Sequence, residues 1–249
     1  MIWHERGGSG PRTVLLLHGL GATGAAWAGV QRSLEQRGMQ WITPDLSGHG
    51  HSDWLPSYSI GQLAAQVAPL IQDTEELYIL GHSLGVYVGL ALASRWFGTK
   101  VVALLGVGPK VRWSEADLQG ARELAKRPVR WYPLEAEAVA RYRRVAGLEE
   151  KIAQGDDLLA RGIIQAAEGF RLSQDPRTFM VGGAPFGTLV ASADARVGLA
   201  CGEHDAMVSL DELQSHQRDA LEIPGAGHNV HVESPAGVVN LLDRLIDRG

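Results

Sequence analysis

The sequence predicts an α/β fold with a mostly parallel sheet, flanking helices and a helical insertion. Three observations support this: short apolar runs alternate with helical segments, the runs are apolar throughout, and one long segment interrupts the alternation. Such alternation indicates βαβ units. Strands that are apolar on both faces are typical of a parallel sheet covered by helices on both sides.

Each element follows from its local pattern. β-rich apolar runs predict strands at Thr13–Leu17, Gln40–Thr43, Leu77–Leu80, Val101–Val107, Val197–Cys201 and Ala220–Ile223. Apolar residues at helical spacing predict helices at Ala25–Arg37, Ile60–Ile71, Val86–Phe97, Leu210–Gln217 and Ala236–Asp247. Gly38 and Gly98 follow two of these helices, as glycine commonly does at a helix C-terminus.

The segment after Pro109 departs from this alternation, and little of it has a strand pattern. One helix is expected to begin at Ser114, with Asp117 three residues later as in a capping box. The rest is predicted as helix at Leu134–Ala146 and Glu149–Glu168 and as loop at Phe170–Thr188. We therefore divide the chain into two core parts and a cap that would lie as a lid over the sheet: core 1–108, cap 109–190 and core 191–249.

Composition excludes several classes of protein. With 249 residues, the chain can bury a large core, and its single cysteine forms neither an internal disulfide nor a cysteine-rich zinc site. Neither a signal peptide nor an apolar stretch of about 20 residues is visible. The net charge of −5 gives no general attraction to nucleic acid or anionic lipid. We expect a cytoplasmic protein that acts on a small molecule, with no nucleic-acid or membrane partner; the sequence indicates no oligomeric state.

The strongest chemical signal is the segment GHSLG at residues 81–85. It lies between the strand Leu77–Leu80 and the helix Val86–Phe97, which is the strand–turn–helix context that G-x-S-x-G requires. The small residues allow a sharp turn that projects the Ser83 hydroxyl above the sheet. The Leu84 amide would then point to where an oxyanion forms.

A second signal is HGLG at residues 18–21, directly after the strand Thr13–Leu17. A glycine-rich turn leaves backbone N–H groups unpaired and directed into a site. The Leu20 amide could therefore be a second oxyanion donor, opposite Leu84.

An acid and a base follow in the places that such a serine needs. Asp205 comes just after the strand Val197–Cys201, and His228 just after the strand Ala220–Ile223. A hydroxyl needs a base because its own pKa lies far above neutral. The base in turn needs a carboxylate that fixes its tautomer and stabilises its cation.

With these motifs the chain resembles the α/β-hydrolase family with a helical cap, over nearly its whole length. The stretch from Asp45 to Ser52 adds to the likeness, because it is similar to the family's D-x-x-G-x-G-x-S loop. The resemblance implies Ser83 as nucleophile, His228 as general base and then acid, Asp205 as its orienting carboxylate, and the Leu20 and Leu84 amides as the oxyanion hole. It implies no metal and no organic cofactor.

Two features depart from the family pattern, and neither touches the triad: Val86 stands where many members have a second glycine after the turn, and the stretch before Thr13 is short. Some members carry the acid one strand earlier, but here that position reads Gly108-Pro109-Lys110, with no carboxylate before Glu115. This favours Asp205. The stretch before Thr13 is short, so we expect the family's first strand to be missing.

We expect a serine hydrolase that cleaves a small or medium carboxylic ester through an acyl-enzyme on Ser83. A lactonase, thioesterase or C–C bond hydrolase would use the same triad. A ligand receptor with very slow turnover is a further alternative on this fold.

Other histidines and the cysteine have simpler interpretations than catalysis. His49, His51 and Asp53 match the start of a metallo-hydrolase ligand set, but Trp54 replaces the next histidine, so a loop with partly exposed imidazoles is favoured. His82 and His204 adjoin the triad, where local hydrogen bonding is the simpler role than substrate contact. Cys201 is predicted as a buried strand residue.

The inserted segment is more basic than the rest of the chain. Residues 110–190 hold 13 Lys and Arg against 11 Asp and Glu, which leaves the remainder at −7. The run Arg141-Tyr142-Arg143-Arg144 could meet an anionic substrate group, although a solvated helix face is the favoured interpretation. Of the aromatic residues in the insert, some should line a pocket above Ser83 and more should pack within the insert.

Overall fold

The computed structural model describes residues 1–148, 159 and 161–247. Its strands are β1 His4–Gly8, β2 Arg12–Leu17, β3 Gln40–Pro44, β4 Glu76–His82, β5 Val101–Val107, β6 Ile163–Ala166, β7 Gly169–Leu172, β8 Arg196–Gly202 and β9 Leu221–Ile223. Seven of them form one sheet in the order β1-β3-β2-β4-β5-β8-β9. Every neighbouring pair is parallel except β1 and β3, so the mostly parallel sheet predicted from the sequence is confirmed.

Helices flank this sheet on both faces. The helices of the described residues are α1 Ala28–Glu35, α2 Ile60–Val67, α3 Leu84–Ala93, α4 Glu115–Ala125, α5 Glu135–Val145, α6 Phe186–Ser192, α7 Leu210–Gln214, α8 Val230–Glu233 and α9 Pro235–Asp247. The side chains of α2 and α3 pack on one face of the sheet, and those of α1 and α9 pack on the other. The two apolar layers bury the strands from both sides, which is why their sequences carry continuous apolar runs. No helix in the described ranges is long and apolar enough to cross a membrane.

The N-terminal stretch contains a strand that its sequence did not indicate. β1 pairs antiparallel with β3, from His4 opposite Pro44 to Gly8 opposite Gln40. Two of its five residues are glycine and none is apolar, so it has no apolar run to detect. Its position at the sheet edge explains why a polar sequence is tolerated there.

Helix boundaries differ modestly from the predicted ones. The helix that follows GHSLG ends at Ala93 rather than Phe97, and Arg95 then takes the left-handed conformation at φ 63°. The capping box at Ser114 is present, because its hydroxyl accepts from the Asp117 N–H while the Asp117 carboxylate accepts from the Ser114 N–H.

The predicted helix Glu149–Glu168 and the predicted loop Phe170–Thr188 need correction. Residues 149–158 and 160 lie outside the described residues, and beyond them β6 and β7 form an antiparallel hairpin. A 3₁₀-helix at Pro176–Val181 and the start of α6 replace the loop. Tyr132 pairs with Phe170 of this hairpin through two backbone hydrogen bonds, with N to O distances of 2.7 and 2.9 Å. The hairpin therefore has a backbone partner that is distant in sequence and that its local pattern does not indicate.

The described residues between β5 and β8 add no strand to the seven-stranded sheet. The chain leaves the carboxyl end of β5 at Val107 and returns at Arg196. We call residues 109–190 the insert, keeping the bounds of the predicted cap. The carboxyl ends of parallel strands meet at one edge of a sheet, and the residues discussed next follow β2, β4, β8 and β9 there.

Candidate active site

Ser83 occupies a sharp, strained turn between β4 and α3. Its backbone has φ 49° and ψ −111°, a conformation that residues other than glycine rarely adopt. Its N–H donates to the Val107 carbonyl at 3.0 Å, which ties the turn to the end of β5. The turn therefore holds the hydroxyl at the carboxyl edge of the sheet, as the G-x-S-x-G motif predicts.

The glycines on either side of Ser83 are required by close backbone approach. A Cβ on Gly85 would lie 2.0 Å from the Leu17 carbonyl oxygen, and a Cβ on Gly81 would lie 2.7 Å from the backbone of Gly85. A larger residue at either place would push α3 away from the sheet. Both glycines of the G-x-S-x-G pattern are therefore required by packing at this turn.

His228 and Asp205 form a hydrogen-bonded pair. His228 Nδ1 lies 3.0 Å from Asp205 Oδ2 and 3.1 Å from Oδ1, and the Asp205 side chain is fully buried. The Met207 N–H also donates to Asp205 Oδ1 at 2.8 Å, which fixes the carboxylate from the other side. With Nδ1–H donated to the carboxylate, Nε2 is the ring nitrogen left to accept a proton.

Three neighbouring strands bring this pair to Ser83. Asp205 follows β8 and His228 follows β9, while Gly108 follows β5 between Ser83 and the pair. A Cβ on Gly108 would lie 3.2 Å from Asp205 Oδ2 and 3.3 Å from the His228 ring, so the two residues crowd against the end of β5. Ser83 and His228 both line one cavity.

The turn at residues 18–21 passes directly beside Ser83. A Cβ on Gly19 would lie 3.3 Å from the Ser83 Cβ, and both Leu20 and Leu84 line the cavity that contains Ser83. Leu84 is the first residue of α3, so its N–H belongs to the end of the helix that has no internal acceptor and carries positive partial charge. This arrangement suits the stabilisation of a developing oxyanion.

Buried histidines hold the loops of the site together. The Leu46 N–H donates to His18 Nε2 at 2.8 Å, which leaves Nδ1–H to donate to the Gly19 carbonyl at 2.8 Å. His82 Nε2 lies 3.0 Å from the His228 carbonyl oxygen, and its ring packs 4.8 Å from the His228 ring. His82 therefore contacts the backbone of His228, as the local hydrogen-bonding interpretation predicts, and it also lines the cavity.

Burial keeps these imidazoles neutral. Desolvation lowers the pKa of His18 to about 4 and the pKa of His231 to about 3. It also holds the pKa of His82 well below its usual value, and the neighbouring His231 and His228 act in the same direction. His228 differs from these three imidazoles because its Nδ1 is paired with a carboxylate.

The D-x-x-G-x-G-x-S loop has a structural basis. The buried Asp45 carboxylate accepts from the Gly24 N–H at 2.8 Å and the His51 N–H at 3.0 Å. Arg161 of the insert pairs with it at 3.0 Å and stacks on Trp3 at 4.0 Å. The loop thus links the insert to the core.

The expectation of partly exposed imidazoles in this loop is wrong for His49. Its ring is buried and accepts from the Gly21 N–H at 3.2 Å, and burial lowers its pKa to about 3. His51 is exposed and contacts Trp3 edge-on. No group of three potential metal ligands occurs among the described residues.

The cavity that contains Ser83 and His228, here the inner cavity, has a volume of about 320 Å³. Its walls are mostly apolar and come from both core and insert, including Ile60, Tyr87, Trp113, Phe179, Val181 and Met207. The sequence predicts some aromatic residues of the insert here, and Trp113 and Phe179 are those that line the cavity. Ile60, Tyr87 and Met207 were missed, because nothing in their local sequence marks residues so far apart in the chain as neighbours.

The remaining candidates lie away from the chemistry. His204 is exposed and is absent from the inner cavity wall, while its N–H donates to the Ala226 carbonyl at 2.8 Å. Cys201 is fully buried in β8 as predicted, and burial raises the pKa of its thiol to about 11. Phe186 packs against Tyr87 and His216 rather than lining the cavity.

Comparison with known proteins identifies the family. The model of the alpha/beta hydrolase family matches residues 14–241. The chain belongs to this family. Its fold class and family, both predicted from the motifs, are confirmed.

Two relatives that match part of the chain are named as an esterase and a lipase. The chain is 41% identical over 91 residues to pimeloyl-[acyl-carrier protein] methyl ester esterase of Aeromonas hydrophila, covering 36% of this chain and 34% of that protein. It is 32% identical over 107 residues to lipase LipV of Mycobacterium tuberculosis, covering 42% and 40%. The alignments thus span less than half of either relative.

A solved structure extends the likeness to the whole fold. The thioesterase domain from the curacin biosynthetic pathway superposes with a TM-score of 0.77 at 24% identity, covering 97% of this chain and 94% of that domain. This alpha/beta hydrolase therefore shares its architecture with that domain from end to end.

Proposed function

We propose that this alpha/beta hydrolase is a serine hydrolase that cleaves a small or medium carboxylic ester. The observation that carries the proposal is His228, which is paired at 3.0 Å with the buried Asp205 carboxylate and lines the same small cavity as the strained Ser83. The esterase and lipase names of its partial relatives support an ester substrate.

In the proposed reaction, Ser83 Oγ attacks the ester carbonyl and its proton passes to His228 Nε2. The negative charge that develops on the carbonyl oxygen is stabilised by the N–H groups of Leu20 and Leu84. His228 then protonates the leaving alcohol, and the Asp205 carboxylate stabilises the imidazolium meanwhile. A water molecule, deprotonated by His228, releases the acid from the acyl-enzyme. No step calls on a metal or an organic cofactor.

We further propose that the insert acts as the cap of this site. Trp113, Val145 and Phe179 come from the insert and share the inner cavity with Ser83. A substrate bound there would lie between the sheet edge and the insert, away from bulk water. Substrate choice would then depend on the insert more than on the triad.

Replacing Ser83 by alanine tests the proposal. We expect Ser83→Ala to lower kcat for 4-nitrophenyl butyrate by about 10³-fold or more, because the nucleophile is lost. Ser94→Ala, at the far end of α3, should retain wild-type turnover and serves as the control. Retained turnover in Ser83→Ala, with an unchanged circular dichroism spectrum, would overturn the assignment.

Labelling by a fluorophosphonate probe separates the reaction classes. Mass spectrometry should place the label on Ser83, and a panel of esters, lactones, thioesters and C–C substrates then ranks the bond cleaved. A slow-turnover receptor would instead give one equivalent of product and a persistent covalent adduct. A label on any other residue would contradict the triad.

A further inference from the structure

A second, larger cavity adjoins the inner one on the insert side. This outer cavity has a volume of about 940 Å³ and is formed within the insert. Its walls are one face of α5, the connection 127–132 between α4 and α5, and a third side that includes Leu172 and Phe179. Both cavities fall in the size range of small-molecule sites.

The outer cavity is lined by one face of α5. Glu137, Ala140, Arg141, Arg144 and Val145 all line it, and their spacing of three and four residues places them on one side of a helix. Another side of α5 is fixed by burial, since Ala138 is fully buried and Tyr142 nearly so. The orientation of the helix, and hence the direction of the arginines, follows from this packing.

Positive charge dominates the wall. Arg127, Arg130, Arg141 and Arg144 line the outer cavity, and Glu137 is the one carboxylate among its described lining residues. The Arg130 guanidinium stacks on the Tyr132 ring at 4.8 Å, which restrains it. An arginine-rich wall is suited to carboxylate or phosphate, because a guanidinium donates two parallel hydrogen bonds to such groups.

The two cavities share part of their walls. Arg144, Val145 and Phe179 line both, so the arginine-rich wall begins directly beside the cavity that contains Ser83. The inner cavity is mainly apolar, whereas the outer one is cationic. An apolar cavity beside a cationic one fits a molecule with a reactive carbonyl, an apolar chain and an anionic end.

We propose that the outer cavity binds a carboxylate or phosphate at the far end of the substrate, so that the ester cleaved at Ser83 belongs to an anion-terminated chain. This proposal rests on the hydrolase activity proposed above and specifies its substrate class. The run Arg141–Arg144 then does more than face solvent, contrary to the interpretation favoured from sequence.

Three 4-nitrophenyl esters of the same eight-carbon acyl chain test the proposal. The chain ends in a carboxylate, in an uncharged carboxamide of the same shape, or in a phosphate. We expect the carboxylate or the phosphate ester to exceed the carboxamide ester by about tenfold or more in kcat/KM, mainly through KM, as for a charge-assisted hydrogen bond. Whichever anion gives the larger ratio identifies the group the cavity accepts.

The double variant Arg141→Gln/Arg144→Gln should reduce that ratio to near one. Arg122→Gln is the matched control, because Arg122 lies on α4 outside both cavities, in an exposed ion pair with Glu115 at 3.0 Å. It should keep the wild-type ratio. A wild-type ratio near one for both anions, or an equal fall in both variants, would overturn the proposal.

Binding to Ser83→Ala distinguishes this proposal from the hydrolase assignment. By calorimetry, monomethyl octanedioate should bind more tightly than methyl 8-amino-8-oxooctanoate, its uncharged carboxamide, and the added Arg141→Gln/Arg144→Gln change should remove the difference. If no ester is hydrolysed but this preference is found, the anion site stands and the proposed reaction fails. If Ser83-dependent hydrolysis is found without any charge preference, the reaction stands and the anion site fails.

Discussion

The carboxylate of Asp205 has two donors, the His228 ring and the Met207 N–H, and no exposure to solvent. A carboxylate held in this way orients the imidazole without being able to turn away from it. In the proposed reaction it also stabilises the imidazolium, so its charge matters as much as its hydrogen bond.

Asp205→Asn tests the hydrogen bond and the charge of this carboxylate while leaving the packing around it nearly unchanged. The amide has nearly the same shape, but it removes the charge and favours the wrong tautomer of His228. We expect kcat for the best ester to fall about 10³- to 10⁴-fold with little change in KM. Asp211→Asn, an exposed carboxylate on α7, should have no effect on kcat. A loss below about tenfold would contradict the assignment of the acid.

The three proposed triad residues could be predicted because each lies in a short pattern directly after its own strand. The hydrogen bonds that hold the surrounding loops in place could not be predicted from the sequence. The hydrogen bond from His82 to the His228 carbonyl joins residues 146 positions apart, and the Leu46 N–H meets His18 across 28. Such pairs depend on which strands are neighbours, and that order is not written in the local sequence.

At the scale of elements, the insert is joined to the core by a buried ion pair. Arg161 lies just before β6, and its guanidinium contacts the fully buried Asp45 and the half-exposed Glu5. Asp45 would remain buried if the arginine were lost, with only backbone donors to compensate. This makes the Arg161 contact more valuable than an ion pair at the surface.

Arg161→Met should therefore destabilise the protein by about 3 kcal/mol, because it leaves a buried carboxylate with one partner fewer. Urea unfolding followed by circular dichroism measures the change. Arg122→Met removes a comparable but exposed ion pair and should cost less than about 1 kcal/mol. Equal losses in the two variants would show that the buried pair has no special role.

The hairpin of β6 and β7 shows why the insert was predicted less well than the sheet. Its first strand, Ile163–Ala166, is followed by Ala167 and Glu168, and the alanine, glutamine and glutamate in this stretch favour helix. Pairing with β7 and the bridge from Tyr132 override that preference. The alternation of buried and exposed side chains that identifies a strand is also missing, since Ile163 and Ile164 are both half-buried while Gln165 and Ala166 are both exposed.

At the scale of the whole molecule, four buried histidines make the fold sensitive to acid. In the unfolded chain their pKa is about 6.5, whereas in the fold burial lowers the pKa to about 4 for His18 and about 3 for His49 and His231, and well below 6.5 for His82. Between these values the unfolded state binds more protons, so stability falls as the pH falls. The contribution is fully present above pH 6.5.

His231→Phe tests this pH dependence. The His231 ring stacks between Trp27 and His82, and neither of its nitrogens has a hydrogen-bond partner among the described residues. Phenylalanine keeps the stacking and removes the proton site. The slope of unfolding free energy against pH between 6 and 4 should then fall by about 1.4 kcal/mol per pH unit. An unchanged slope in His231→Phe would contradict the proposed role of the buried histidines.

The missing side chain at Gly108 has a consequence for how such a site can change in evolution. A Cβ there would point at the imidazole edge that Asp205 occupies, from the neighbouring strand β5. Aspartate and asparagine are among the residues that tolerate its φ of 61°. An aspartate at position 108, after β5, could therefore take the place of Asp205, after β8, without displacing Ser83 or His228. The sheet thus offers two points of attachment for one charge, and the proposed mechanism uses the later one.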